Sequence, residues 1–166
     1  NINIEYAGPS DIPQVPRLGE MMANVLDVAY YILRKKGEMT AMKLQKLVYY
    51  AQAWSAVWDD TPLFRDRFEA WAHGPVSPRL YNAHRGKFMV NVTTFQGLSD
   101  DRKLTRMQKE TIDAVLDFYG DRSPGALSAL SHHEQPWRDA REGTRTGELS
   151  HNEITVAAMV EYYSSL

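Results

Sequence analysis

Cysteine is absent from the 166 residues, which removes disulfide staples, thiolate nucleophiles, iron–sulfur clusters and every zinc site that needs sulfur. An excess of charge of one sign is absent too. The 19 Lys and Arg against 21 Asp and Glu leave a formal charge of -2, so no global field draws the chain to a polyanion and nucleic acid is not the expected partner. No stretch approaches the ~18 consecutive apolar residues of a membrane span, and the N-terminus lacks the basic patch and apolar run of a signal peptide. The expectation is a cytoplasmic protein without a membrane partner. Catalytic signatures are missing as well: neither G-x-S-x-G nor S-x-x-K occurs, and neither G-x-x-x-x-G-K-S/T nor G-x-G-x-x-G is there to cradle phosphates. His132-His133-Glu134 invites a zinc-protease reading, but Trp137 stands where the second histidine is needed. A looser site from His132, His133 and His151 would need adjacent histidines to face one ion. The chain is therefore read as a non-enzyme, with no metal and no cofactor assigned.

What is present suits one folded domain: 43% hydrophobic and 24% charged residues exclude wholesale disorder and a coiled coil. Residues 1–20 hold Gly8-Pro9, Pro13, Pro16 and Gly19 with no helical period, and read as an extended leader or as sequence left over from cloning. A single domain is expected over residues 21–166. Asn24 caps a helix from Val25 to about Lys36, whose last turn is basic and which stops at Gly37 in the left-handed region. Thr40 caps a second helix to about Trp58, where Leu44, Leu47, Val48, Ala51, Trp54 and Trp58 follow i, i+3, i+4, i+7 spacing.

Asp60-Thr61-Pro62 breaks that helix. Phe68 to Trp71 reads as a strand ended by Gly74-Pro75, Ser77-Pro78 starts a short helix, and Phe88 to Phe95 reads as a strand pairing with the first. Thr105-x-x-Gln108 is a capping box for a helix to about Tyr119, with Met107, Ile112, Val115, Leu116 and Tyr119 inward. Ser123-Pro124 opens another helix, and Ser150-x-x-Glu153 a final one. The expected fold class is mainly α: a compact multi-helix domain with a long central helix and at most a small two- or three-stranded β element.

Three blocks then stand out in order: Lys43-Leu44-Gln45-Lys46-Leu47-Val48-Tyr49-Tyr50-Ala51-Gln52-Ala53-Trp54, Pro62-Leu63-Phe64, and Glu69-Ala70-Trp71-Ala72-His73-Gly74-Pro75-Val76, continued by Pro78, Leu80 and Tyr81. Together they resemble the Panacea antitoxin domain of phage-associated proteins and SocA-like antitoxins. His132, Pro136 and Trp137 are similar to that family's histidine-x-x-x-proline-tryptophan element, so the likeness spans about Met21 to Leu166. The resemblance implies a mainly helical domain that neutralises a toxin by direct binding, with one scaffold serving different toxins and some members acting as proteolytic adaptors. It implies a cognate protein toxin, encoded by the neighbouring gene, and a protease as a further partner. His73 departs from the aromatic or other polar residue of relatives.

Packing explains most of the matched residues by period alone, Leu44, Leu47, Val48 and Trp54 among them. The expected partner-binding residues are Trp71, His73, Gly74, Pro75, Tyr81, His132 and Trp137. Aromatic side chains give large contact area at low entropy cost, and Pro75 and Pro78 restrict the bend that carries them. A helix-turn-helix regulator with Lys43 and Lys46 on phosphates is one alternative, weakened by the apolar crowding of Tyr49, Tyr50, Val57 and Trp58 on the reading helix. A cryptic metal-dependent hydrolase is the other.

Overall fold

The first helix, α1 (Val25–Lys36), starts where the Asn24 side chain accepts from the Leu26 and Asp27 amides while Asp27 accepts from the Asn24 amide, a reciprocal capping box. It stops at Gly37, whose φ of 82° is paired with a ψ of -169°. That is a mirror-extended conformation, not the left-handed helical one expected, and it sends the chain straight into β1 (Met39–Thr40). The structure, a computed structural model, describes residues 22–166; the leader assigned to residues 1–20 lies outside the described residues.

Thr40 caps α2 (Ala41–Trp58), 18 residues long and so about 27 Å. This is the central helix. Leu44, Leu47, Val48, Tyr50, Ala51 and Ala53 have no exposed surface, whereas Trp58, expected on the same stripe, is 52% exposed because it stands in the last turn, where the helix runs out. The helices α1, α4 (Arg106–Tyr119) and α7 (Val156–Tyr163) pack along its flanks. Lys46 is 1% exposed and cannot reach a phosphate, which removes the helix-turn-helix use of that residue. The remaining helices are α3 (Pro78–His84), α5 (Pro124–His133) and α6 (Gln135–Ala140). Seven α-helices, two short 3-10 helices and two small antiparallel sheets therefore make up the regular structure of the described residues.

The larger sheet has the order β3-β2-β5, built from β2 (Phe68–Trp71), β3 (Gly74–Val76) and β5 (Glu153–Ile154). β2 covers Phe68–Trp71 as expected from sequence, and the Gly74-Pro75 that follows it opens β3: Trp71 faces Gly74, and Ala70 faces Pro75. A proline is tolerated there because β3 is an edge strand. Phe88 to Phe95 does not form a strand on β2. Only β4 (Met89–Val90) is extended, and it pairs with β1. The rest turns into a short 3-10 helix (Val92–Phe95) because Asn91 and Thr94 form a capping box, a local hydrogen-bond pattern that overrides strand propensity.

Two further expectations fail for physical reasons. Met107 is 54% exposed, not inward. It stands five residues before Ile112, a rotation of about 500°, which puts it opposite the buried stripe of Ile112, Val115, Leu116 and Tyr119. The last helix starts not at Ser150 but after Thr155, whose hydroxyl accepts from the Ala158 amide. Pairing Ile154 with Phe68 buries the isoleucine on the sheet, and strand formation there prevents the earlier start.

Polar contacts tie these layers. Gln52 grips the Pro62-Leu63-Phe64 loop from both sides, accepting from the Leu63 amide at 2.8 Å and donating to the Phe64 carbonyl at 2.8 Å. At the junction of α5 and α6, buried Glu134 accepts from the Tyr163 hydroxyl at 2.9 Å and from the Tyr50 hydroxyl at 2.5 Å. Burial pushes its carboxyl above the ordinary range even with two phenols donating to it.

Candidate functional site

Gln45 lies seven residues before Gln52, on the same face of α2, and repeats its device. It accepts from the Ser77 amide at 2.9 Å and donates to the Ser77 carbonyl at 3.3 Å. A side-chain amide paired in both directions with a main-chain unit takes the place of a neighbouring strand. The same Gln45 nitrogen lies 3.0 Å from Nε2 of His84. An amide nitrogen only donates, so that His84 nitrogen accepts and the ring proton sits on Nδ1. Burial holds the His84 imidazole below the ordinary histidine range, in keeping with the neutral ring.

Lys46, the next residue, donates to the Pro75 carbonyl at 3.0 Å. Its side chain passes over Gly74, where a Cβ would stand 2.5 Å from Lys46 Cε and 2.9 Å from the Ser131 hydroxyl, and where φ is +120°. Glycine is the residue that fits. Burial pushes the Lys46 ammonium from its ordinary 10.5 down to about 7. Between those values the unfolded chain binds a proton that the folded protein releases, so stability rises with pH in that window. The expected result is a gain of about 2 kcal/mol between pH 7 and 9, read from urea midpoints. Lys46→Met should flatten that rise, and an equally steep rise in the variant would place the titrating group elsewhere.

With the hairpin thus pinned, a cavity of about 500 Å³ opens between the first half of α2, the β2–β3 hairpin and α3. Trp71 and Tyr81 meet edge-to-face in its wall, with ring centres 4.8 Å apart. Tyr81 in turn stands edge-on to His84 at 5.5 Å. Phe88 and Leu149, 79% and 72% exposed, form the outer rim. The lining groups that can carry positive charge are Lys46, His73, His84 and Lys87, and no carboxylate lines the groove.

The wall is braced from behind. Buried Glu69 accepts from the Trp71 indole at 3.0 Å, from Arg67 at 2.6 Å, and lies 3.0 Å from Nδ1 of His151. Burial raises its carboxyl, but these donors outweigh burial and hold it below the usual carboxylate range. The Trp71 indole N–H is thereby fixed on Glu69 while the residue lines the groove. His132 stacks on Trp137 at 4.1 Å, and the Trp137 indole donates to the Trp71 carbonyl at 2.8 Å. Arg141, over the Trp137 ring at 5.2 Å, donates to the Ala70 carbonyl at 2.9 Å.

Of the seven residues expected to bind a partner, Trp71, His73 and Tyr81 line this groove. Gly74 and Pro75 are buried under its wall, where they receive Lys46. His132 and Trp137 are half-buried on α5 and α6, outside the groove lining, and the Trp137 indole is tied to it through the main chain of Trp71. Sequence reasoning gave Gln45 and Gln52 no role of their own, and Lys46 only a phosphate contact in the helix-turn-helix alternative. Their signal was available: polar residues embedded in a largely apolar helix, Gln45 and Gln52 about two turns apart among them, require buried main-chain partners. Among the described residues no group of three or more His, Asp or Glu is placed to hold a metal ion, and no helix is long and apolar enough to cross a membrane.

The family model described as antitoxin SocA-like, Panacea domain, matches residues 44–138. That span holds nearly all of α2, the hairpin, α3 and the His132–Trp137 stack. Antitoxin SocA of Caulobacter vibrioides (strain NA1000 / CB15N) is 34% identical over 115 residues, covering 63% of this chain. The chain spans 61% of the length of that relative. No solved structure gives a significant match.

Proposed function

The chain belongs to the SocA-like Panacea antitoxin family, and from that premise we propose that it is an antitoxin that neutralises a protein toxin by direct binding, with the groove beside α2 as the contact surface. The observation that carries this reading is the exposed apolar rim of Phe88 and Leu149 around a braced Trp71–Tyr81 pair. Contiguous apolar surface of this kind on a folded protein marks a place that a partner covers. Side chains already held by packing and hydrogen bonds lose little freedom on association, so their burial goes further toward affinity. Neutralisation by occupancy asks for no cofactor and no catalytic step, and it places the protein beside its toxin in the cytoplasm. A proteolytic-adaptor role differs from simple blocking in one measurable quantity, the half-life of the toxin when the antitoxin is present.

The test is co-expression with the product of the neighbouring reading frame, followed by growth, pull-down and immunoblot of the toxin over time. The double variant His73→Ala, Tyr81→Ala removes one exposed and one half-buried groove residue. Its affinity should fall at least roughly 30-fold, the loss typical of an interface hot spot, with growth rescue lost and the melting temperature within a few degrees of the parent. Full rescue by the folded double variant would move the recognition surface off this groove.

A further inference from the structure

We propose that the groove recognises an acidic, apolar segment of its protein partner, one bulky side chain seating between Trp71, Tyr81 and Phe88 with carboxylates beside it drawn to Lys87 and His73. The inference rests on the antitoxin reading in one respect, that the partner is a protein. Its own argument is charge. Acidic residues outnumber basic ones in this chain, yet every lining group able to carry a charge at neutral pH is basic. Two of them are committed inside the protein: His84 is held neutral against Gln45, and Lys46 is turned to the Pro75 carbonyl. Lys87 and His73 are exposed, and neither enters an ion pair among the described residues.

A basic rim around an apolar floor selects its complement. Apolar surface supplies the affinity, while charge on the rim steers approach and rejects like-charged partners. A further apolar hollow among the described residues, lined by Trp54, Trp58, Phe118 and Leu166, has no charged side chain on its wall; Arg122 lies over the Phe118 ring, 4.7 Å from its centre.

The experiment is panning of a random 12-residue peptide library, displayed on phage, against the full chain, with the Tyr81→Ala variant as counter-selection. The expected consensus is an aromatic residue or leucine flanked by Asp or Glu. The synthetic consensus peptide should bind the parent at least about tenfold more tightly than it binds Tyr81→Ala or Lys87→Glu. A peptide with Lys in place of its acidic residues should bind Lys87→Glu better than the parent. Lys87 lies on the surface, so its variant reads the charge requirement whether or not Tyr81→Ala folds. A basic or uncharged consensus, no enrichment, or an affinity unmoved by Lys87→Glu would overturn the proposal. A dimer of the chain that Tyr81→Ala dissociates would give the groove to a second copy and overturn it too. Toxin neutralisation by a chain that yields no acidic consensus would sink the segment chemistry alone, whereas an acidic consensus without neutralisation would sink the antitoxin reading alone.

Discussion

Leu47→Asp should abolish the folded state. Leu47 sits midway along α2 with no exposed surface, in a helix flanked by α1, α4 and α7. The substitution removes a buried leucine side chain and puts a carboxylate into a core whose nearest neighbours on the stripe are Leu44, Val48 and Ala51. An unpaired buried charge costs several kcal/mol, and removing the leucine side chain from its packed site adds about 3 more, against a total stability of ~5–15 kcal/mol. Far-UV circular dichroism and a thermal melt check it. An unchanged helical signal and melting temperature would remove α2 from the centre of the fold.

The second large effect is expected at Gly74. Gly74→Val asks a β-branched residue to adopt a φ of +120° and to place its Cβ where Lys46 Cε and the Ser131 hydroxyl already stand. Backbone strain and overpacking together should cost about 4 kcal/mol, a fall of roughly 10 °C in melting temperature for a domain of this size. The two contributions separate in a cycle. Gly74→Ala should cost about 3 kcal/mol in the parent but only about 1 to 2 kcal/mol in a Lys46→Ala background, because the second variant removes the closer of the two clashing groups and leaves the Ser131 contact and the backbone strain. Equal costs in both backgrounds would show that Lys46 yields without penalty.

Much of this architecture could be read from local chemistry. Asn24, Thr40, Ser77, Thr105 and Ser123 each cap the helix that sequence assigned to them, since a cap is decided by one side chain and the three residues that follow it. Strand partners were harder, because pairing is decided by residues far apart in the chain. Nothing near Phe68 announces that it will face Ile154, and nothing near Met89 announces Thr40. The groove was legible in part for the same reason. Trp71 and Tyr81 stood out as aromatic residues around a restricted bend, but Leu149, Met42 and Phe88 come to the groove from three other places in the sequence. Gly74 stood out in sequence as part of a partner-binding bend; that it makes room for a lysine side chain is a fact of packing between β3 and α2.

The link between Glu134 and its two phenols also sets a timetable for synthesis. Tyr50 precedes Glu134 by 84 residues and Tyr163 follows it by 29. A ribosome adding about 5–20 residues per second delivers Tyr163 roughly one to six seconds after Glu134. Through that interval the carboxylate has one of its two phenol donors available, and the flank of α2 that α7 covers stays open to water. Closure of the core therefore waits for α7: a nascent chain that stalls before Tyr163 carries every groove-lining residue, the last being Leu149, yet lacks the helix that completes the packing along α2.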